Sequence, residues 1–238
     1  MSASDHRDPA GSLSARLREV SFGGHGGGKN WSGDGPGQQD PRFAKAYMRG
    51  GLNREGIAAQ AAQHFLMYEA LERAAELHHE RLGDSFEFWL PELHRLPRLT
   101  ADLEHWIGSS WQTLVRERYN TAGIAAYVDR LNAVASTSLP LFVAHHYTRY
   151  LADLSGGLMI ARAFRESYGM EGDTGTRFYT FDEISDPKAY KAAYRERLDN
   201  AGFSAAEQAE IAREVALAYD LNNNAAADLE RRYKEYAA

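Results

Sequence analysis

The sequence predicts a single-domain, all-α protein, and three observations support that fold class. Apolar residues recur at helical spacing from Arg42 to the C-terminus. The sequence contains no sustained alternation of apolar and polar residues, the pattern of a half-buried strand. Helix-starting and helix-stopping residues stand at the ends of the periodic segments. The 238 residues, 44% of them hydrophobic, suit one domain spanning 1–238.

Composition excludes several classes of function. The net charge of -6 argues against non-specific binding of nucleic acid, which depends on neutralising phosphates with Lys and Arg. The absence of cysteine excludes disulfides, thiolate-bound zinc and Cys-ligated iron–sulfur clusters. No apolar run is long enough to span a membrane, and the polar N-terminus lacks the hydrophobic stretch of a signal peptide. We therefore expect a cytoplasmic protein without a membrane anchor.

The elements are predicted from the N-terminus onward. Residues 1–12 form a polar tail, and a short helix follows over 13–20. The segment 23–40 is rich in glycine, each of which costs a helix about 1 kcal/mol relative to alanine, so a loop or a remodelled segment is expected. The first long helix covers 53–81, with Asn53 as its N-cap and Gly83 as its stop.

Later helices follow the same logic. They are predicted over 97–106, 109–119, 121–135, 139–168, 187–200 and 204–236, with a break at 222–224 in the last. Ser138 followed by Pro140 is a strong start signal for the helix 139–168, and Gly169 closes it. Residues 178–181 are expected to be extended or a turn.

The helix 139–168 contains the most informative stretch. Ser155, Gly156 and Gly157 predict a kink, because two interior glycines together cost about 2 kcal/mol and kinks occur at Gly/Ser pairs. The glycines allow either close packing on a neighbouring helix or close approach of a ligand. Arg149, Asp153 and Gly156 share one stripe of the helix. Such an Arg–Asp pair is either solvated or holds ordered water beside a ligand.

Several other polar residues are candidates for binding a ligand or a metal ion. Lys191 and Arg195 lie one helical turn apart and form either a solvated cationic face or a grip on the two carboxylates of a dianion. His145 and His146 lie in an apolar helix, where hydrogen-bonded core histidines are more common than metal ligands. His25 lies among glycines that leave its ring accessible.

The stretch around Asp153 resembles that of a known family. Residues 149–157, Arg-Tyr-Leu-Ala-Asp-Leu-Ser-Gly-Gly, are similar to the signature of the haem oxygenases, which usually have glycine in the fourth place. Further matches are found, in chain order, at 17–19, 53–56, 68–72, 178–181, 194–198 and 221–222. The ordered matches over most of the chain identify it as a member of this family with an all-α haem-oxygenase-like helical bundle and a kinked distal helix.

The resemblance implies a role for each matching residue. His25 matches the axial iron ligand. Asp153 matches the distal carboxylate that anchors a water network, and Arg149 and Tyr68 match its partners. The remaining implied contacts with haem are Arg18, Tyr147, Lys191 and Arg195 at the propionates and Ser155, Gly156 and Gly157 over the ring.

The implied activity is the oxidative cleavage of haem to biliverdin, carbon monoxide and ferrous iron. Haem b is then both cofactor and substrate, O2 is the co-substrate, and the protein supplies orientation and proton control. Electrons would come from a ferredoxin or an NADPH-dependent reductase, and the alpha isomer of biliverdin is the default product.

Two departures from the family pattern leave a second function open. Ala152 replaces the usual glycine, and its methyl group could disturb oxygen activation. Lys29 replaces the glutamate expected four residues after the axial histidine, within the glycine-rich segment. A shifted reading frame is another explanation for that segment. The alternatives to an active oxygenase are a haem-binding or haem-storage protein with little turnover, and an unrelated helical protein that shares only the architecture.

Overall fold

A computed structural model describes residues 11–24 and 41–238, without the side chains of 22–24. In these ranges the chain forms helices and 3-10 turns with no strand, apart from one isolated bridge between Leu52 and Ala237. The helices are α1 Leu13–Gly24, α2 Arg42–Met48, α3 Arg54–Leu82, α4 Leu96–Ile107, α5 Trp111–Glu117, α6 Ala122–Val134, α7 Leu139–Tyr168, α8 Pro187–Asn200, α9 Ala205–Arg231 and α10 Tyr233–Tyr236. The all-α prediction is confirmed.

The two longest helices of the described ranges, α7 and α3, have the predicted capping residues. Ser138 accepts a hydrogen bond from the backbone of Leu141 at the start of α7, and Gly169 closes that helix in a left-handed conformation. Asn53 accepts from the backbone of Gly56 at 3.0 Å at the start of α3. Local capping chemistry therefore set these boundaries.

Several sequence predictions need correction. α1 extends through Gly24, beyond the predicted end at 20. α7 runs from Leu139 to Tyr168 without interruption at the glycine pair, and the kink predicted there stays a prediction. α9 likewise continues through 222–224, because neighbouring helices support it, and it ends at Arg231. α2 was not predicted as a separate helix, whereas the turn expected at 178–181 is present as a 3-10 turn over 177–179.

The helix α7 occupies the centre of the fold. It contacts α3, α6, α8 and α9, and α1 packs against α8 and α9. The half of α7 before Leu151 is almost entirely buried, whereas Leu158 and Met159 are 62% and 70% exposed. The second half of α7 therefore has an open face, and the candidate site lies where burial gives way to exposure.

Candidate functional site

The polar stripe of α7 lies at the boundary between its buried and open halves. Arg149 and Asp153 are mostly buried, with side chains 10% and 12% exposed, and a guanidinium nitrogen lies 3.8 Å from the Asp153 carboxylate. A solvated surface pair, one of the two interpretations of this spacing, is therefore excluded. Burial makes the pair sensitive to its other neighbours.

Two other helices, α3 and α9, supply those neighbours. Tyr68 of α3 donates its hydroxyl proton to Asp153. The Arg149 guanidinium lies 5.7 Å from the centre of the Tyr68 ring and donates to the side-chain oxygen of Asn222 on α9 at 2.9 Å. The predicted catalytic trio is thus one connected network, and Asn222 is an additional member. The sequence match at 221–222 indicated its position without assigning it a role.

Burial shapes the protonation of this network. It raises the pKa of the Asp153 carboxyl, against the lowering effects of Arg149 and of the Tyr68 hydrogen bond. Burial and Asp153 together hold the pKa of Tyr68 well above its ordinary value. Burial alone would lower the pKa of Arg149, but the nearby Tyr68 and Asp153 raise it. Arg149 therefore stays charged, and burial favours the protonated form of Asp153 more than it would for an exposed carboxyl.

Two buried polar atoms beside the network have no hydrogen-bond partner among the described residues. They are the Arg149 Nε and the hydroxyl of Tyr127, whose side chain is fully buried on α6. Buried polar groups in proteins are normally paired with protein or with ordered water. These donors therefore fit a network completed by water and by a bound molecule. The sequence analysis missed Tyr127, since one tyrosine on an apolar helix face carries no distinguishing signal.

The two glycines of α7 have different surroundings. A Cβ on Gly157 would lie 2.9 Å from the carbonyl oxygen of Tyr179, so Gly157 is needed for packing against the 3-10 turn. A Cβ on Gly156 would meet only the end of Ile160, at 3.5 Å. Close packing therefore explains the glycine at 157. Gly156 lies instead on the open face of α7, where a ligand could approach. The predicted contact of Gly157 with a ligand has no support from this geometry.

The 3-10 turn behind Gly157 is fixed by Asp102 of α4. Its carboxylate accepts from the backbone of Arg177 at 3.0 Å and of Phe178 at 2.8 Å. Burial raises the pKa of Asp102 to about 6, against those two hydrogen bonds. This carboxylate therefore sets how closely Tyr179 approaches α7.

Cationic residues gather beside the open face. The Lys191 ammonium donates to the Ser155 hydroxyl at 2.9 Å, and Ser155 in turn donates to the Leu151 carbonyl at 2.6 Å. Burial and the neighbouring Arg195 lower the pKa of Lys191. The Arg195 Nε is buried without a partner among the described residues. The Lys191–Arg195 pair therefore faces a shared space, and the fully solvated interpretation is excluded.

Helices α1 and α7 bring the other two predicted anion-binding residues to the same place. Burial raises the pKa of Tyr147, and the Ser21 hydroxyl, Arg195 and Arg18 act in the opposite direction. Arg18 and Arg195 therefore both act on the Tyr147 hydroxyl. The cluster of Arg18, Tyr147, Lys191 and Arg195, here called the cationic cluster, fits a ligand with two carboxylates.

The predicted iron ligand His25 lies outside the described residues. Within the described ranges, no group of three or more His, Cys, Asp or Glu could hold a metal ion. His145 and His146 are core residues, as predicted: His145 Nε2 lies 2.9 Å from Glu214 and His146 Nδ1 lies 2.8 Å from the Tyr194 hydroxyl. In the same ranges, no helix is long and apolar enough to cross a membrane.

Comparison with known proteins identifies the family. The family model described as Heme oxygenase matches residues 39–228. The chain belongs to the haem oxygenase family. Haem oxygenase 2 of Synechocystis sp. is 32% identical to it over 195 residues, covering 81% of this chain and 76% of the relative. Haem oxygenase 1 of the same organism is 34% identical, covering 76% and 73%.

Solved structures agree. Haem oxygenase-1 from Synechocystis sp., crystallised in complex with haem, superposes with a TM-score of 0.80 at 29% identity and covers 94% of this chain and 95% of that one. The haem oxygenase of Leptospira interrogans gives a TM-score of 0.77 at 27% identity. The protein is thus a haem oxygenase, with haem as substrate and cofactor and O2 as co-substrate.

Proposed function

We propose that haem lies against the open face of α7, with its propionates in the cationic cluster and its reacting edge beside Asp153. The observation that carries this assignment is the buried Tyr68–Asp153–Arg149 network, which ends one helical turn before the open Gly156. Bound haem supplies the iron that activates O2 and the ring that is opened. The fit rests on the unpartnered Arg149, Tyr127 and Arg195 atoms and on the open face.

The cationic cluster orients the substrate. Two carboxylates facing Arg18, Tyr147, Lys191 and Arg195 would form charge-assisted hydrogen bonds, which are stronger than neutral ones. Lys191 already bridges α8 and α7 through Ser155, so its ammonium lies at the edge of the face. Such contacts would limit the orientations that the ring can take. The alpha isomer stays the default product that the family resemblance implies.

The distal network controls protons. Tyr68 fixes one oxygen of Asp153, and Arg149 lies beside the other. Asp153 would then hold a water molecule on the ligand side and exchange a proton with it, since burial has already raised the pKa of its carboxyl. Asn222 holds Arg149 in place and keeps its charge directed at the network. Asp153 thus acts through water and needs no contact with the ring.

His25 is the residue proposed to bind the haem iron, and electrons are proposed to come from a ferredoxin or an NADPH-dependent reductase. The His25→Ala variant should lose the absorption spectrum of a histidine-ligated haem complex, because neutral imidazole sets the ligand field of the iron. Ultraviolet–visible spectra of the ferric and ferrous complexes measure this. His105→Ala, a change at a half-buried histidine of α4, is the control. An unchanged spectrum in His25→Ala would show that another residue ligates the iron.

Removing the cationic cluster should weaken haem binding. In Lys191→Ala/Arg195→Ala, loss of two charged hydrogen bonds should raise the Kd about 10- to 100-fold, since each contributes roughly 1.5–3 kcal/mol before screening. Titration with haemin, followed by tryptophan fluorescence quenching, gives the Kd. The matched control is Lys188→Ala/Arg197→Ala, on the same helix. Equal effects in both variants would argue against a propionate role.

A second function is favoured by one observation. The Ala152 side chain is exposed on the open face, one turn before Gly156, so its methyl group lies where the proposed ring would approach. A haem-binding protein with weak turnover would result if this methyl group displaced the distal water. Ala152→Gly should then raise the turnover rate.

The deciding experiment adds haemin, O2 and a ferredoxin-type electron donor and follows the absorption spectrum. Conversion of the haem bands to biliverdin supports the oxygenase. A stable haem complex that never degrades contradicts it and favours binding or storage. Absence of any haem complex contradicts both functions.

A further inference from the structure

The imidazole of His64 lies next to the distal network, yet the mechanism above does not use it. His64 stands one helical turn before Tyr68 on α3, so the two side chains share one side of that helix. Its ring centroid lies 4.5 Å from that of Phe178, and the Tyr68 ring lies 5.6 Å from the same phenylalanine. Phe178 therefore joins His64 and Tyr68 in one aromatic cluster.

His64 is held in a defined orientation. The Gln60 side-chain amide lies 2.9 Å from its Nε2 and fixes that nitrogen from the preceding turn of α3. The neighbouring Phe178 is itself fixed through its backbone by Asp102. Phe178 thus restrains the face of the His64 ring, and Gln60 restrains its Nε2. The other ring nitrogen, Nδ1, is left for a further hydrogen bond.

Electrostatics keep this ring neutral. Burial, and then the positive charge of Arg149, lower the pKa of His64 to about 3. Both groups adjoin Tyr68, since the Arg149 guanidinium lies 5.7 Å from the centre of the Tyr68 ring and His64 stands one helical turn before Tyr68. A neutral imidazole offers both an N–H donor and an acceptor lone pair. The Arg149 Nε, a buried donor, has no partner among the described residues.

We propose that His64 is a positioning residue of the distal network, a neutral imidazole that forms a water-mediated hydrogen bond to Arg149. Together with Asn222, it would hold the guanidinium in the orientation that Asp153 and Tyr68 require. The role rests on the proposed function, since the network serves haem cleavage. Packing against Phe178 alone would need no imidazole, because leucine fills a similar volume.

The test compares His64→Leu, which keeps the packing, with His64→Gln, which keeps hydrogen-bonding capacity. His79→Leu is the matched control, because His79 is also half-buried and stacked on an aromatic ring, Trp89, at 4.3 Å. It lies 15 residues farther along α3, about 22 Å from His64.

The first measurement uses the protein without haem. Nuclear magnetic resonance follows the solvent exchange of the Arg149 Nε proton, assigned by its loss in Arg149→Lys. Exchange should accelerate about three- to tenfold in His64→Leu, the size expected of one hydrogen bond, and remain near wild type in His64→Gln and His79→Leu. Unchanged exchange in His64→Leu, or equal acceleration in His64→Gln, would overturn the proposal.

The second measurement uses haem, O2 and an electron donor. It compares biliverdin formed with hydrogen peroxide released, the product of O2 with two electrons and two protons. A misoriented network should lower the ratio of biliverdin to peroxide about three- to tenfold in His64→Leu, with recovery in His64→Gln. An unchanged ratio in His64→Leu would also overturn the proposal. If the wild-type protein itself forms no biliverdin, the proposed function fails, and the exchange measurement alone decides the role of His64.

Discussion

Replacing Asp153 with asparagine should slow haem cleavage by about 100-fold or more, the lower range of a positioned acid–base group, while the haem Kd changes less than about threefold. Asparagine has the same shape, and its side-chain oxygen can still accept from Tyr68. It cannot take up or release a proton, and it leaves Arg149 without its carboxylate partner. Single-turnover absorption spectra give the rate, and haemin titration gives the Kd.

The control for this variant is Asp182→Asn. Asp182 pairs with Arg98 at 2.9 Å, and its side chain is 74% exposed, so the change keeps the same chemistry far from the network. Its rate should equal that of the wild type. Retention of the wild-type rate in Asp153→Asn would remove Asp153 from the mechanism. A rate loss accompanied by an equal loss of affinity would assign it to binding.

Replacing Glu214 with leucine should lower the free energy of unfolding by about 3 kcal/mol, because it leaves the partners of a buried carboxylate unpaired. Glu214 on α9 is only 4% exposed. Its carboxylate accepts two hydrogen bonds from Arg130 of α6, at 2.9 and 2.6 Å, and lies 2.9 Å from Nε2 of His145 on α7. One carboxylate thus joins three helices behind the site. The Arg130 side chain is 35% exposed, so water replaces part of its lost interaction.

The same variant has a defined pH dependence. Burial would raise the pKa of Glu214, but the hydrogen bonds from His145 and Arg130 outweigh it and lower the pKa to about 2, from an ordinary 4.5. A carboxyl whose folded pKa is depressed stabilises the fold above its unfolded pKa and loses that effect as the pH falls. The stability difference should therefore be full at pH 7 and shrink as the pH falls from about 4.5 towards 2.

Denaturant unfolding followed by circular dichroism measures both effects. Glu235→Leu is the control, since Glu235 is exposed and pairs with Arg232 at 2.8 Å on the surface. A difference in stability that is equally large at pH 7 and near pH 2 would show that Glu214 acts by packing and not by charge.

The sequence predicted the elements whose boundaries depend on local chemistry. Ser138 with Pro140 and Gly169 define α7, and Asn53 with Gly83 define α3, because capping residues satisfy backbone groups within a few residues of themselves. The signature around Asp153 placed the distal residues on one stripe, since helical geometry alone fixes that relation. The break predicted at 222–224 was wrong, because contacts between helices there outweigh local propensity.

Some features of the open face of α7 and of the network beside it follow from the sequence, and others depend on the tertiary structure. By itself, the sequence determined the helix, the Arg149–Asp153 spacing, the glycine pair and the family resemblance. Only the tertiary structure separated a packing Gly157 from an open Gly156, and added Asn222, Tyr127 and His64 to the Tyr68 that the resemblance implied beside the pair. The physical reason is that spacing along one helix fixes which residues share a face, whereas burial and partners depend on residues far apart in the chain.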